Sequence, residues 1–126
     1  MHTLELKDDV HMIIEGLYLG NFQAVMNVER LRKLNISHIL ILAYPVPTEF
    51  EPEFQYMCIE IMDDHKANLF KSLSEGIMFI KDALEVHSKA SRANIYESQK
   101  GGCLVASTMG NSRSAAFIIG YLIYTR

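Results

Sequence analysis

The amino-acid sequence predicts an α/β fold in which a mixed, mostly parallel sheet is flanked by helices. Short apolar runs of strand length alternate along the chain with segments whose apolar residues recur at helical spacing. One run, His38–Leu42, is apolar almost throughout, as expected for a strand that is covered on both faces. The length of 126 residues suits one domain, and hydrophobic residues at 49% are ample for its core.

The first elements are two strands and a helix. Met12–Ile14 and Leu17–Leu19 are short apolar runs around Gly16 and predict strands. Asn21 follows and is a residue type that caps helices. The apolar positions of the predicted helix are Val25, Val28, Leu31 and Leu34.

The middle of the chain predicts a loop, a strand and a long helix. Pro45–Pro52 is rich in proline, cannot be helical throughout and predicts a loop. Phe54–Ile61 predicts a strand. A helix capped by Ser72 or Ser74 follows, and its apolar stripe is Leu73, Ile77, Ile80 and Leu84. The polar stretch Ser88–Gly102 predicts a linker or a long surface loop.

Composition and charge argue against two classes of function. The formal net charge is −3 and no dense basic stripe is present, so nucleic-acid binding is not expected. No apolar run approaches the ~20 residues of a membrane helix, so membrane association is not expected either. Cys58 and Cys103 lie in apolar runs, where buried free thiols are expected and a disulfide is the alternative. The expected location is the cytoplasm, the nucleus or both.

The segment Cys103–Phe117 carries the strongest functional signal. An apolar run ends in a short polar loop around Gly110, and a second apolar run begins just after Arg113. A strand, a tight turn and a helix start in this order let backbone N–H groups converge on one phosphate. Arg113 adds a planar fork of donors to the same anion. Because the loop contains neither Cys nor His, the sequence predicts a phosphate site without the usual nucleophile.

The run Val105–Ser114 resembles the signature loop of the cysteine-dependent dual-specificity protein phosphatases. That loop reads His-Cys, two residues, Gly, two residues, Arg, and then Ser or Thr. Its glycine, its arginine and its final hydroxyl residue fall on Gly110, Arg113 and Ser114. Its nucleophilic cysteine falls on Ser107 and its histidine falls on Ala106, so the two departures are at catalytic positions.

The resemblance extends over most of the chain from His11 onward. Ile14–Gly20 is similar to the family's opening strands, and Ile36–Leu42 is similar to its first central parallel strand. Ile59–Leu69 resembles the segment with the general-acid aspartate, which falls on Asp63. The loop with its cysteine replaced is most similar to that of the serine/threonine/tyrosine-interacting pseudophosphatases. The resemblance therefore implies a cysteine-phosphatase-like sheet.

The same resemblance implies a role for each loop residue. The phosphate-binding residues would be Ser107, Thr108, Met109, Gly110, Asn111, Ser112 and Arg113. Ser114 would support the loop, and Asp63 would occupy the general-acid position. Ser107 is expected to be an inactive nucleophile, because a serine hydroxyl is far less acidic than a thiol and no neighbouring base activates it. No metal or cofactor is implied.

Three functions follow as hypotheses. The favoured one is a pseudophosphatase-type binding module that holds phosphotyrosine, phosphothreonine or phosphoserine proteins without hydrolysis. The second is an active dual-specificity phosphatase whose cysteine and histidine were replaced by Ser107 and Ala106. The third is a scaffold that binds partners through its final helix and the Ser88–Gly102 loop. Phosphorylated proteins are the expected partners in the first two cases.

The last element, Ala115–Tyr124, is apolar on every side of a helix and therefore needs cover all round. Phosphatases of the family that it resembles continue with further helices that pack over this one. We therefore expect residues 1–126 to form a single domain that is truncated after this helix. A homo-oligomer or a partner chain is expected over the exposed face.

Overall fold

A five-stranded sheet organises the described part of the chain. The structure is a computed structural model, and it describes residues 9–43, 47, 49–60, 66–92, 101–108 and 111–125. The strands are β1 (Val10–Ile14), β2 (Leu17–Asn21), β3 (His38–Ala43), β4 (Gln55–Glu60) and β5 (Cys103–Ser107). The helices are α1 (Phe22–Met26), α2 (Val28–Lys33), α3 (Lys66–Arg92) and α4 (Asn111–Tyr124).

The strand order in the sheet is β1-β2-β5-β3-β4. Four strands run parallel to one another, namely β2, β5, β3 and β4. The edge strand β1 pairs with β2 in the antiparallel sense. Gly16 lies in the turn between β1 and β2 at a φ of 87°, where an L side chain would be strained. Every residue of β3 is buried, as its apolar run predicts. The predicted α/β fold with a mixed, mostly parallel sheet is confirmed.

The helix predicted after Asn21 is in fact two short helices. Asn21 caps α1 as predicted, since its side chain accepts the N–H of Ala24 at 3.1 Å. The prediction of one continuous helix is wrong, because Asn27 has non-helical backbone angles and begins a second helix. Its side chain caps α2 by accepting the N–H of Arg30 at 3.3 Å. The apolar spacing runs across this break and therefore does not reveal it.

Helix α3 is longer than predicted at both ends. It begins at Lys66, so Ser72 and Ser74 lie inside the helix and the prediction that either one caps it is wrong. It ends at Arg92, so the first part of the predicted loop Ser88–Gly102 is helical, and residues 93–100 lie outside the described residues. The apolar stripe used for the prediction marks only the packed part of the helix. No Gly or Pro stands between Ser88 and Arg92 to signal an earlier end.

Two hydrophobic clusters fill the two faces of the sheet. On the face covered by α3 and α4, named the α3–α4 face, the buried residues are Leu17, Leu40, Leu42, Ile59, Ile80, Ala83, Cys103, Val105, Phe117, Ile118 and Tyr121. On the face covered by α1 and α2, named the α1–α2 face, they are Ala24, Leu31, Ile36, Ile39, Ile41, Ala43, Phe54, Leu104 and Ala106. Neighbouring residues of one strand fall in different clusters because successive strand side chains point to opposite faces, as Leu104 and Val105 do.

The final helix, α4, packs against the sheet on one side and exposes apolar residues on the other. Its buried side chains include Phe117, Ile118 and Tyr121. Its exposed ones include Ile119, Ile123 and Tyr124, at 55%, 66% and 55%. This exposed apolar face agrees with the expectation for α4, and its cover by a second copy or a partner chain stays a prediction. Apolar as α4 is, neither it nor any other described helix is long and apolar enough to cross a membrane.

Candidate functional site

The predicted phosphate loop follows the carboxyl end of β5, in the middle of the sheet. Ser107 is the last residue of β5 and pairs with Asn21 of β2 and Leu42 of β3 in parallel register. The N–H of Thr108 donates to the carbonyl oxygen of Leu42 at 3.1 Å, so the chain stays tied to the sheet just beyond the strand. Ser107 is buried whereas Thr108 is exposed. The chain therefore leaves the core where open α/β sheets bind their ligands.

Helix α4 begins just beyond the loop and supplies the second half of the site. The first-turn N–H groups of a helix have no partner within it, and its dipole favours an anion there. The first turn of α4 contains no acidic residue that would repel a phosphate. It does contain Arg113, which is partly exposed. A cation in the first turn is disfavoured by the helix dipole, so helix stability alone does not explain Arg113, and its role in anion binding stays a prediction.

Ser114 is fully buried in the first turn of α4. Its Oγ has no hydrogen-bond partner among the residues that the structure describes. A buried hydroxyl without a partner costs about 1–3 kcal/mol, so such groups are rare and call for an explanation. The hydroxyl is therefore available to support a residue outside the described part or a bound ligand, which is compatible with the predicted loop-supporting role.

The structure brings part of the predicted site together. The residues that it places at the junction of β5 and α4 are Ser107, Thr108, Asn111, Ser112, Arg113 and Ser114. The predicted site residues that lie outside the described part are Asp63, Met109 and Gly110. Of Asn111 and Ser112 only the backbone is described. Within the described ranges, no group of three or more His, Cys, Asp or Glu residues could hold a metal ion.

Neither cysteine replaces the missing nucleophile at Ser107. Cys103 opens β5 and Ser107 closes it, so the two lie about 13 Å apart at a strand rise of ~3.3 Å per residue. Burial raises the pKa of the Cys103 thiol far above its ordinary value, and burial also raises the pKa of the Cys58 thiol on β4. A raised pKa suppresses the thiolate, which is the nucleophilic form. Both thiols are free as predicted, but only Cys103 is buried, and Cys58 is half-buried.

Sequence reasoning missed the place of Asn21 in this site. Its Oδ1 accepts the N–H of Asp9 at 3.0 Å as well as that of Ala24, so one side chain fixes the end of β2 and the start of α1. The register places this junction directly beside Ser107. The cap itself was visible in the sequence. Its proximity to the phosphate loop was not, because it depends on the strand order.

Comparison with known proteins places this geometry in a family. The family model described as the dual specificity phosphatase catalytic domain matches residues 17–126. The chain is 35% identical over 121 residues to dual specificity protein phosphatase 19 of Mus musculus, which is 96% of this chain and 48% of that protein. The chain thus spans about half the length of this relative.

Two solved structures share the fold. The human tyrosine phosphatase-like serine/threonine/tyrosine-interacting protein has a TM-score of 0.72 and 27% identity, covering 92% of this chain and 73% of that one. DUSP15 has a TM-score of 0.69 and 28% identity, covering 92% and 65%. With the family model matching from β2 to the end of the sequence, the chain belongs to the dual specificity phosphatase catalytic-domain family.

Proposed function

We propose that this domain binds phosphorylated protein side chains and does not hydrolyse them. The observation that carries the proposal is the residue pair at the end of β5. Ser107 stands where the family's signature loop has its nucleophilic cysteine, and Ala106 stands where it has a histidine. The first-turn N–H groups of α4 and the guanidinium of Arg113 remain, and these are groups of a kind that can bind an anion.

The chemistry of the family's reaction explains why the pair matters. A thiolate attacks phosphorus and displaces the alkoxide or phenoxide oxygen, an aspartic acid protonates that oxygen, and water then hydrolyses the phosphocysteine. The hydroxyl of Ser107 ionises far less readily than a thiol, and Ala106 cannot donate or accept a hydrogen bond through its side chain. Losing the nucleophile of a concerted site costs a factor on the order of 10⁴–10⁶ in rate.

The groups that support phosphate binding are separate from those that are replaced. The first turn of α4 offers its N–H groups and no carboxylate, and Arg113 brings a guanidinium to the same turn. A guanidinium can hold two phosphate oxygens at once, and its charge-assisted hydrogen bonds are among the strongest in proteins. Affinity for a phosphate group can therefore persist although turnover is lost.

The test is a titration of phosphotyrosine and phosphothreonine peptides into the wild-type domain and two variants. We expect micromolar binding by the wild type and a loss of about 10- to 100-fold in Arg113→Ala, because two charge-assisted hydrogen bonds are removed. Lys33→Ala is the matched control. Lys33 is exposed at the end of α2, which leads to the amino end of β3, away from Ser107. This control should bind like the wild type.

Two results would contradict the proposal. One is the absence of binding by a domain that circular dichroism and urea unfolding show to be folded. The other is an equal loss of affinity in Arg113→Ala and Lys33→Ala. An equal loss would mean that the peptides respond to the overall charge of the domain and not to a site at the start of α4.

A further inference from the structure

A cavity of about 580 Å³ opens on the α1–α2 face, and none of its described lining residues is among those proposed to bind phosphate. The two short helices form one wall, with Phe22 and Met26 among its residues. The segment before β4 and the start of that strand form the other wall, with Phe50 and Tyr56. Ile41 of β3 lies at the floor.

The apolar walls are held in place and yet remain open to solvent. The ring centroids of Phe50 and Tyr56 lie 4.8 Å apart at an interplanar angle of 54°. The Tyr56 hydroxyl accepts the N–H of Glu51 at 3.2 Å, which ties the segment to the strand. Even so, Phe50 is 46% exposed and Met26 is 64% exposed. Exposed apolar groups that line one cavity indicate a binding surface.

The charge at the cavity has one sign. Glu49 and Glu51 are exposed and lie among its lining residues, and none of the described lining residues is Lys, Arg or His. Glu53 is different, because its Oε2 accepts the Nε–H of Arg32 at 2.8 Å and its charge is compensated. A ligand that complements this surface therefore carries an apolar side chain next to a cationic one.

The register fixes how far the cavity lies from the phosphate loop. Phe22 directly follows Asn21, which is the partner of Ser107 across the strands. Neighbouring strands lie about 4.8 Å apart and consecutive Cα atoms about 3.8 Å apart, so the Cα atoms of Phe22 and Ser107 are within about 9 Å. This distance applies to the wall that contains Phe22.

Tyr56 pairs with Ile39, which is level with Leu104. Tyr56 therefore lies two strands across and three residues back from Ser107. Its Cα is about 14 Å from that of Ser107, and four or five residues of an extended peptide, at about 3.4 Å each, reach the wall formed by Phe50 and Tyr56.

We propose that the cavity is a specificity subsite for the segment that flanks the phosphorylated residue. It takes an apolar side chain adjacent to Lys or Arg, four or five residues from the phosphate. The inference rests on the proposed function, because the bound phosphate sets the position of the peptide. The ligand class is thus a phosphoprotein segment with a basic and an apolar residue close to its phosphorylated side chain.

The test compares three peptides by fluorescence anisotropy with the whole chain. The first carries Arg-Leu four and five residues from the phosphorylated residue, in versions with the pair on either side. The second carries Ser-Gly at those positions, and the third is the Arg-Leu peptide without phosphate. The protein variants are Glu51→Gln and Phe50→Ser. Their matched controls are Glu75→Gln on α3 and Ile119→Ser on α4, which change an exposed residue of the same class on the other face.

We expect the wild type to bind one version of the Arg-Leu phosphopeptide about tenfold more tightly than the Ser-Gly phosphopeptide, from one buried leucine and one charge pair. Phe50→Ser should remove most of this preference and Glu51→Gln should reduce it about threefold. Both controls should retain it. These changes concern selectivity, so affinity for the Ser-Gly phosphopeptide should stay at the wild-type value in all four variants.

The other outcomes separate this inference from the proposed function. Equal binding of both phosphopeptides overturns the subsite and leaves phosphate binding in place. Failure of a folded domain to bind any phosphopeptide overturns both proposals. Equal binding of the Arg-Leu peptide with and without phosphate overturns the proposed function and the phosphate-set register. A preference that survives in Phe50→Ser and Glu51→Gln overturns the assignment to this cavity.

Discussion

The two faces of the sheet differ in how completely helices cover them. On the α3–α4 face, the long helices pack so closely that a Cβ added at Gly76 would lie 2.6 Å from the Phe117 ring. On the α1–α2 face, helices of 5 and 6 residues leave a cavity of about 580 Å³. The groups proposed to bind phosphate belong to α4, on the close-packed side. The flanking-residue subsite lies on the open side.

This difference separates two requirements of recognition. Phosphate binding needs donors in fixed positions. Arg113 and Ser114 lie in the first turn of α4, and the packed core sets the position of this helix. Recognition of flanking residues needs space and exposed side chains, which a thinly covered face supplies. Changes on the close-packed face should therefore act on stability and phosphate affinity. Changes on the open face should act on peptide selectivity.

The largest expected effect comes from restoring the nucleophile. Ala106→His combined with Ser107→Cys returns both family residues to the end of β5. Because α4 and Arg113 keep their positions, we expect hydrolysis of para-nitrophenyl phosphate to rise by a factor on the order of 10⁴ over the wild type. Steady-state release of nitrophenolate measures the change.

Two further variants make this restoration decisive. Ala106 is fully buried, so Ser107→Cys alone is the variant to use if the added histidine prevents folding. Adding Arg113→Ala to the restored protein should remove most of the gained activity. A folded restored variant that is as inactive as the wild type would show that the close-packed face no longer holds the reacting groups in a productive arrangement.

The next effect concerns stability on the close-packed face. Gly76→Ala should lower the free energy of unfolding by about 1–3 kcal/mol, because the added methyl meets the buried Phe117 ring and not a flexible chain end. Gly120→Ala is the matched control, since its Cβ meets the Cδ1 end of Ile77 at 2.9 Å. This control should cost less. Urea unfolding followed by circular dichroism measures both.

A variant on the open face sharpens the comparison. Phe50→Ser should change the free energy of unfolding by less than about 1 kcal/mol, because nearly half of the side chain is already in water. The same urea experiment measures it. Equal losses in Phe50→Ser and Gly76→Ala would mean that the two faces do not differ in packing as described.

The smallest effect is a pH dependence from the buried His38. Burial lowers the pKa of His38 below its ordinary value of 6.5, and the charge of Asp82 opposes the shift in part. The unfolded chain therefore binds a proton more readily than the folded domain, and stability should fall as the pH drops from 7 through 6.5. His38→Gln should flatten this dependence. An unchanged slope in that variant would assign the effect to other groups.

Local patterns predicted the sheet and the junction of β5 with α4, and packing decided the rest. The apolar run of β3 and the turn at Gly16 are visible in the sequence because each depends on adjacent residues. The break at Asn27 was not, because an Asn cap competes with a continuous apolar stripe. The start of α3 at Lys66 was missed because the apolar stripe from which the helix was predicted begins only at Leu73.

The candidate site also has features that adjacent residues predict and features that only the strand order creates. The end of β5 at Ser107 and the start of α4 before Arg113 could be predicted because these residues are close in sequence, and the phosphate-binding role of the segment between them stays a prediction. The junction at Asn21 and the cavity lined by Phe22 and Phe50 could not, because they join segments that meet only through the strand order. Long-range contacts of this kind leave no local pattern to read.

The measurement that tests the central claim most directly is ³¹P nuclear magnetic resonance of a phosphotyrosine peptide mixed with a stoichiometric amount of the wild-type domain. Binding without hydrolysis predicts that the phosphate resonance shifts or broadens on mixing and keeps its integrated intensity for hours. It also predicts that Arg113→Ala reduces the shift at the same concentrations. The appearance of inorganic phosphate in step with loss of the peptide signal would contradict the claim, and so would an unshifted resonance with a folded domain.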